Sequence, residues 1–108
     1  MITRIVRLDF GLENSPVFLD HFARVSDDIR NFPGCMELEM LADLNQTGVY
    51  FTISRWRDLE SFESYKQSIL FKSTWATVKP LFVAKAQAWS LGDFKDIYSK
   101  PINPLVVS

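Results

Sequence analysis

The chain has 108 residues, with 12 Lys plus Arg against 13 Asp plus Glu and a formal net charge of −1. This length suits a single domain, and no basic run could follow a phosphate backbone, which argues against nucleic acid. No apolar stretch reaches the roughly 20 residues of a membrane helix, and the first residues alternate in polarity, so we expect a soluble cytoplasmic protein without a membrane partner. The single cysteine, Cys35, excludes an internal disulfide and a cysteine-rich metal site.

The first segment, MITRIVRLDF, has the alternating pattern of a β-strand. The apolar side chains on one face are Ile2, Val6, Leu8 and Phe10. The alternation is interrupted only at Arg4 and Ile5.

The next segment, NSPVFLDHFARVSDDIRNFPG, predicts an amphipathic helix. Asn14 or Ser15 is the expected N-cap, with Pro16 in the first turn and Pro33 and Gly34 at the end. The apolar face consists of Phe18, Phe22, Val25 and Ile29, which recur with helical spacing.

From Cys35 the pattern returns to a period of two, which predicts a second strand. Met36, Leu38 and Met40 face one side, and Glu37 and Glu39 face the other. The segment DLNQTG then turns the chain, and VYFTISRW is the third strand, so the two strands form an antiparallel hairpin.

Two further apolar stripes predict a second helical region. Asp58 is the expected N-cap, and the stripes consist of Leu59, Phe62 and Tyr65 and then of Phe71, Trp75 and Val78. Pro80 ends this region, and LFVAKAQAWSL is the last strand. Residues 92–108 lose the periodicity and are predicted to form a tail after a domain of residues 1–91. The apolar end of the tail, Leu105, Val106 and Val107, is expected to dock on another surface.

The order strand, helix, strand, strand, helix, strand predicts an α+β fold, a ferredoxin-like βαββαβ sandwich with a four-stranded antiparallel sheet. The helices cover one face of the sheet. The other face is expected to mix apolar and charged side chains: Ile5, Val83, Trp89, Arg7, Glu37, Glu39 and Lys85. A second sheet packed against this face, in a two-fold homodimer, would cover it.

Several stretches resemble the antibiotic biosynthesis monooxygenase family of dimeric ferredoxin-like proteins. They are FPGC before the second strand, YFTISRW running into RDLESFESY, then SILFKSTWATVKPLF, and the closing AQAWSL. The resemblance covers nearly the whole chain except the tail and implies a dimeric α/β barrel. The family includes cofactor-independent oxygenases of aromatic polyketides or quinols, haem-degrading monooxygenases and small proteins of unassigned function.

The haem-degrading members resemble this chain at Trp56. However, the resemblance places Trp75 where they carry a haem-ligating histidine and Val6 where they carry an asparagine. Neither indole nor valine ligates iron, so only His21 or Tyr65 could substitute as a ligand. We therefore expect no haem, no other cofactor and no metal.

The cofactor-independent members need only bind an electron-rich ring, assist its deprotonation and stabilise the resulting anion. The resemblance implies a cleft between the helices and the sheet, where a small aromatic or quinol-type ligand would contact Thr52, Trp56, Phe62, Phe71 and Trp75. Thr52 lies where some of these members carry a side-chain amide. The candidate catalytic residues are Tyr65 and His21, the latter as a general base, a role that imidazole side chains often fill near neutral pH.

Each candidate also has a purely structural explanation. Trp56 could fill the core at the corner between strand and helix instead of lining a cleft, and any core-facing helix shows stripes like that of Phe71 and Trp75. His21 could be a surface residue. For the whole protein, the alternative to an oxidoreductase is a non-catalytic small-molecule-binding or stress-responsive module with the same fold.

Overall fold

The computed structural model describes residues 1–97, and these residues form one α+β sandwich. The strands and helices, in chain order, are β1 (Ile2–Asp9), α1 (Gly11–Arg30), β2 (Cys35–Ala42), β3 (Val49–Trp56), α2 (Leu59–Gln67), α3 (Ile69–Val78), β4 (Gln87–Gly92) and the short α4 (Phe94–Ile97). The expected order of strands and helices is confirmed.

The four strands form one antiparallel sheet in the order β2-β3-β1-β4. β1 is central and pairs with both β3 and β4, so that Val6 lies opposite Thr52 on one side and Ala88 on the other. Residues paired in this way share a face of the sheet. The ferredoxin-like topology predicted from the sequence is therefore confirmed.

The hydrophobic core lies between the sheet and the helices. Leu8 and Phe10 at the end of β1 pack with Phe18 of α1 and Val78 of α3. The Phe10 ring stacks on Phe18 at a centroid distance of 4.1 Å and on Phe82 at 4.9 Å. These aromatic contacts fix α1 and the segment after α3 against the central strand.

The helix α1 begins earlier than predicted, at Gly11, so the expected N-cap at Asn14 or Ser15 is wrong. The Asn14 amide donates to the carbonyl of Leu81 at 2.9 Å, and the Ser15 hydroxyl forms a hydrogen bond with the Tyr50 hydroxyl at 2.8 Å. Both side chains therefore make tertiary contacts instead of capping the helix.

The side chain of Asp9 stabilises the observed start of α1. The Asp9 carboxylate accepts a hydrogen bond from the Gly11 backbone N–H at 3.1 Å, and Gly11 has a φ of +64°, which favours glycine. Pro16 consequently lies inside the helix, not in its first turn.

The β2–β3 hairpin forms as predicted, but with a bulge at the start of β2. Cys35 pairs with Trp56 and Glu37 pairs with Arg55, which leaves Met36 unpaired. Met36 is exposed, so its expected place beside Leu38 is wrong.

The last strand is shorter than predicted because it begins at Gln87 instead of Leu81. Pro80 lies in a 3₁₀ helix, Lys79–Leu81, that continues α3. The Val83 N–H then donates to the Asp9 carbonyl at 2.9 Å, which holds this segment at the end of β1. Val83 and Lys85 precede the strand, so their predicted place on the outer face of the sheet is wrong.

The outer face of the sheet, opposite the helices, carries apolar side chains without a cover among the described residues. Ile5 pairs with Ile53 and Trp89, and neighbouring pairs add Leu41, Phe51 and Leu91 to the same face. Trp89 is 44% exposed and Leu91 is 50% exposed. Charged side chains surround them, including the ion pair between Arg55 and Glu37 at 3.1 Å.

Within residues 1–97, no helix is both long and apolar enough to cross a membrane. Most of the predicted tail, including Leu105, Val106 and Val107, lies outside the described residues.

Candidate functional site

A cavity of about 230 Å³ lies between the helices and the inner face of the sheet. Its lining comes from all four strands and three helices. The sheet contributes Arg4, Val6, Leu8, Leu38, Thr52, Ser54, Trp56 and Ala88, together with Ala86 just before β4. The helices contribute Phe18, Phe22, Ile29, Phe62, Tyr65, Lys66, Phe71, Thr74, Trp75 and Val78. The five predicted ligand-contacting residues and Tyr65 are all in this lining.

Trp56 is fully buried and also forms part of the cavity wall. Its ring stacks on Tyr65 at a centroid distance of 4.7 Å and packs against Phe62 at 5.8 Å. The indole N–H donates to the Ser54 hydroxyl at 3.0 Å. The sequence offered two explanations for Trp56, a core residue or a cavity wall. Both apply, because the same side chain fills the core and lines the cavity.

The corner after β3 fixes Trp56 in this position. The Arg57 N–H donates to the carbonyl of Gly34 at 2.8 Å, which ties the end of β3 to the start of β2. Asp58 then caps α2 by accepting a hydrogen bond from the Ser61 N–H at 2.8 Å, which confirms the predicted N-cap. Hydrogen bonds from Ser61 hold the pKa of Asp58 below its ordinary value.

The aromatic rings of α2 and α3 continue the wall. Tyr65 contacts Phe71 edge-to-face at 5.2 Å, and Phe71 lies parallel to Trp75 at 6.3 Å. Trp75 in turn packs against Phe82 at 5.5 Å. A planar ring entering the cavity would therefore meet aromatic faces along the helical side.

Two threonines supply hydroxyl groups to the lining. Thr52 lies on the inner face of β3, opposite Val6. Thr74 was not singled out in the sequence, and its hydroxyl is buried with no hydrogen-bond partner among the described residues. Its spacing from Phe71 and Val78 puts it on the apolar face of α3. A polar residue within an apolar stripe was the feature of the sequence that could have indicated a site residue here.

Burial raises the pKa of Tyr65 to about 12, with a smaller contribution from Cys35. A phenol with its ordinary pKa is already neutral at physiological pH, and this shift further favours the neutral form, which can donate a hydrogen bond. It is poorly suited to act as a general base.

His21 is not in the lining, so the structure does not bring it to the other candidate residues. It lies on the half-buried side of α1, and its Nε2 is buried without a hydrogen-bond partner among the described residues. Phe18 and Phe22 of the same helix reach the cavity instead.

Two cations also line the cavity, and neither was a predicted site residue. The Arg4 guanidinium lies 5.3 Å from the centroid of the Phe62 ring and donates to the Ser90 hydroxyl at 2.8 Å. The Lys66 ammonium lies 4.9 Å from the same centroid and pairs with Glu63 at 3.1 Å. The interruption of the apolar pattern at Arg4 in the first strand was the feature of the sequence that could have indicated a charged group in the cavity.

The cavity lining does not suit haem. Among its described residues there is no histidine or cysteine, and the raised pKa of Tyr65 disfavours the phenolate that would bind iron. Residues 1–97 contain no group of three or more His, Cys, Asp or Glu side chains placed to hold a metal. Burial also raises the pKa of the Cys35 thiol, which disfavours the reactive thiolate.

Solved structures share this fold at low sequence identity. A crystal structure of an antibiotic biosynthesis monooxygenase matches with a TM-score of 0.80 and 14% identity, over 86% of this chain and 98% of that chain. A candidate antibiotic biosynthesis monooxygenase from Deinococcus radiodurans matches with a TM-score of 0.80 and 16% identity, over 97% and 99%. One from Caulobacter crescentus matches with a TM-score of 0.67 and 22% identity, over 83% and 86%.

No curated protein matches the chain in sequence. The sequence profile of the family described as Antibiotic biosynthesis monooxygenase matches residues 1–77, which include β1 to β3, α1, α2 and most of α3. The structural matches extend the similarity through the sheet. The chain therefore belongs to the antibiotic biosynthesis monooxygenase family.

Proposed function

We propose that this protein is a cofactor-independent monooxygenase that oxidises a small aromatic or quinol-type molecule in the cavity between helices and sheet. The observation that carries the proposal is the lining itself, in which Trp56, Tyr65, Phe71 and Trp75 form an aromatic wall with hydroxyl groups nearby. Ligand sites are usually concave and apolar with a few placed polar groups.

The size of the cavity favours a small substrate. Its volume of about 230 Å³ is below the roughly 300 to 1,000 Å³ of pockets that hold drug-sized ligands. A substrate of one ring or two fused rings suits this space better than a large polycyclic molecule.

The reaction needs no separate reductant because the substrate supplies all four electrons. A hydroquinol and O₂ give a hydroxyquinone and water: a ring C–H and both O–H bonds break, one oxygen atom bonds to the ring carbon, and the other leaves as water. The step that the protein must assist is formation of the electron-rich anion that reacts with oxygen.

The lining residues have separate roles in this scheme. The aromatic wall binds the ring, while the Tyr65 hydroxyl, whose raised pKa favours the neutral form, donates a hydrogen bond to the developing oxyanion. The Thr52 hydroxyl and the Thr74 hydroxyl, which has no partner among residues 1–97, are further donors. Because the described lining holds no carboxylate or imidazole, the substrate proton passes to water at the exposed edge near Ala88.

Oxygen consumption tests the proposal. Purified protein is mixed with a panel of hydroquinols and phenols of one or two fused rings, and oxygen uptake and oxidised product are measured against a protein-free control. We expect one O₂ consumed per product with at least one substrate. Thr74→Val should lower kcat/KM by about tenfold through loss of one donor, whereas Thr77→Val, at an exposed position of the same helix, should leave it unchanged.

Tight binding of these compounds without oxygen uptake would contradict the proposed monooxygenase activity and favour a non-catalytic binding module.

We also propose that two chains assemble as a homodimer by packing the outer faces of their sheets. The apolar side chains of that face, centred on the half-buried Ile5 and Ile53 and the exposed Trp89, support this assembly, since burying apolar surface contributes about 25 cal/mol per Å².

A further inference from the structure

The inner face of β1 carries a charged residue where the covering helices call for apolar side chains. Arg4 lies under α2, in register with Ser54 on β3 and Ser90 on β4. Arginine is rarely placed on a covered face without a partner for its charge. The row Ser90, Arg4 and Ser54 therefore forms a polar strip in the floor of an otherwise apolar cavity.

The half-buried Arg4 guanidinium has hydrogen-bond donors that the described residues do not engage. It has five N–H donors, and its described contacts are one hydrogen bond to the neutral Ser90 hydroxyl and the face of the Phe62 ring. Burial lowers the pKa of Arg4, and the opposing effect of Glu63 is smaller. Arg4 nevertheless stays charged at neutral pH.

A second cation contacts the same aromatic ring. Lys66 and Arg4 both lie within 5.3 Å of the Phe62 ring centroid, and both line the cavity. The nearby acid, Glu63, is already paired with Lys66 at 3.1 Å. Among the described residues, two positive charges and one negative charge therefore lie around Phe62.

We propose that Arg4 and Lys66 bind an anionic oxygen group of the ligand, so that the ligand is an aromatic acid with its ring against the aromatic wall. The proposal rests on the cavity being the substrate site, as in the function proposed above. A guanidinium matches the two oxygens of a carboxylate, and an ammonium adds a second charge-assisted hydrogen bond.

The position of the pair suits this role. Ser90 and Ala88 of β4 are exposed, so the Arg4 end of the floor lies beside the open edge of the sheet. A carboxylate there could keep part of its hydration, while the ring lies deeper between Tyr65 and Trp75. The charged end and the aromatic wall thus set the orientation of the ligand.

Two matched probes test the proposal by isothermal titration calorimetry: naphthalene-2-carboxylate and the neutral naphthalene-2-carboxamide. Wild-type protein should bind the carboxylate at least tenfold more tightly, and added salt should reduce this difference. Arg4→Gln and Lys66→Gln should each remove most of the preference while lowering affinity for the amide much less than affinity for the carboxylate.

Two further variants make the comparison sharper. Glu63→Gln removes the acid that competes for Lys66, so carboxylate affinity should rise severalfold. Lys72→Gln removes an exposed lysine of α3 that is absent from the cavity lining and should change nothing. If Arg4→Gln does not fold, Lys66→Gln and Glu63→Gln carry the test, because both positions are partly solvent-exposed.

Equal affinity for the two probes, binding of neither, or a preference that survives in Lys66→Gln would overturn the proposal. Oxygen uptake is measured separately, so the two proposals fail in different ways. A carboxylate preference without oxygen uptake would leave the anion site in place and reject only the monooxygenase.

Discussion

Replacing Trp56 with phenylalanine should affect stability and ligand binding together. The indole is fully buried and donates to Ser54, so its loss leaves a void and an unpaired hydroxyl, and unfolding should become easier by about 1 to 3 kcal/mol. The same ring stacks on Tyr65 in the cavity wall, so affinity for a planar ligand should fall by about 0.5 to 1.5 kcal/mol. Denaturant unfolding and calorimetry on the same samples check both effects.

Trp75→Phe is the matched control, because Trp75 also lines the cavity but is only partly buried. It should weaken binding with a smaller loss of stability. A large loss of stability in Trp56→Phe with unchanged affinity in the folded fraction would show that Trp56 is structural only.

The pKa of Tyr65 predicts a loss of stability at high pH. The pKa of Tyr65 is raised from 10.0 to about 12 on folding, because the folded protein favours the neutral phenol. The contribution of the neutral phenol to the free energy of unfolding is therefore complete below pH 10 and is lost as the pH rises toward 12. In this range, the free energy of unfolding of wild type should fall more steeply than that of Tyr65→Phe, by about 1 kcal/mol per pH unit. Urea unfolding at pH 9, 10.5 and 11.5 measures both slopes, and parallel slopes would contradict the shift.

Residue types and spacing predicted the aromatic wall but not the charges within the cavity. Phe71 and Trp75 follow the helical period, so their common face could be predicted. Strand alternation places Arg4 on the same face as Ile2 and Val6. In the sequence, however, a charged residue at this position reads only as a break in the apolar pattern and does not indicate a role in the cavity. The position of His21 outside the lining could not be predicted, because a helix stripe does not fix which of its edges meets the sheet.

Ser68 determines how α2 and α3 meet. It ends α2 with an extended backbone, and its hydroxyl caps α3 by accepting from the Phe71 N–H at 3.1 Å. Ser68→Ala should therefore destabilise the protein by about 1 kcal/mol, as measured by denaturant unfolding. Ser64→Ala, at an exposed position within α2, should stay within about 0.5 kcal/mol of wild type. Equal stability of the two variants would show that the cap is unimportant.

For strands and helices, the sequence rules for helix caps and strand starts gave wrong predictions where contacts with distant residues competed with the local ones. Asn14 and Ser15 are good caps, yet Leu81 and Tyr50 take their hydrogen bonds. The segment before β4 has strand-like composition, but Phe82 stacks on Phe10 instead of extending the sheet. Such partners are distant in sequence, so no local pattern could predict them.

For the whole molecule, the outer sheet face predicts the state of assembly. We expect light scattering at micromolar concentration to report two chains. Ile53→Arg, which puts a charge at the centre of the exposed apolar face, should give a folded monomer. Leu44→Arg is the control, because Leu44 is 99% exposed in the β2–β3 loop, away from that face.

A monomeric wild-type protein, or a dimer that persists in Ile53→Arg, would reject this interface.

The positions of the three tryptophans give the protein separate optical reporters. Trp56 and Trp75 line the cavity, whereas Trp89 lies 44% exposed on the opposite face of the sheet. Fluorescence quenching by an added ligand therefore reports occupancy of the cavity, while iodide quenching reports how well the outer face is covered. With Trp89 replaced by phenylalanine, the remaining emission comes from Trp56 and Trp75 alone, so this variant reports filling of the cavity, and its difference from wild type isolates the signal of the outer face.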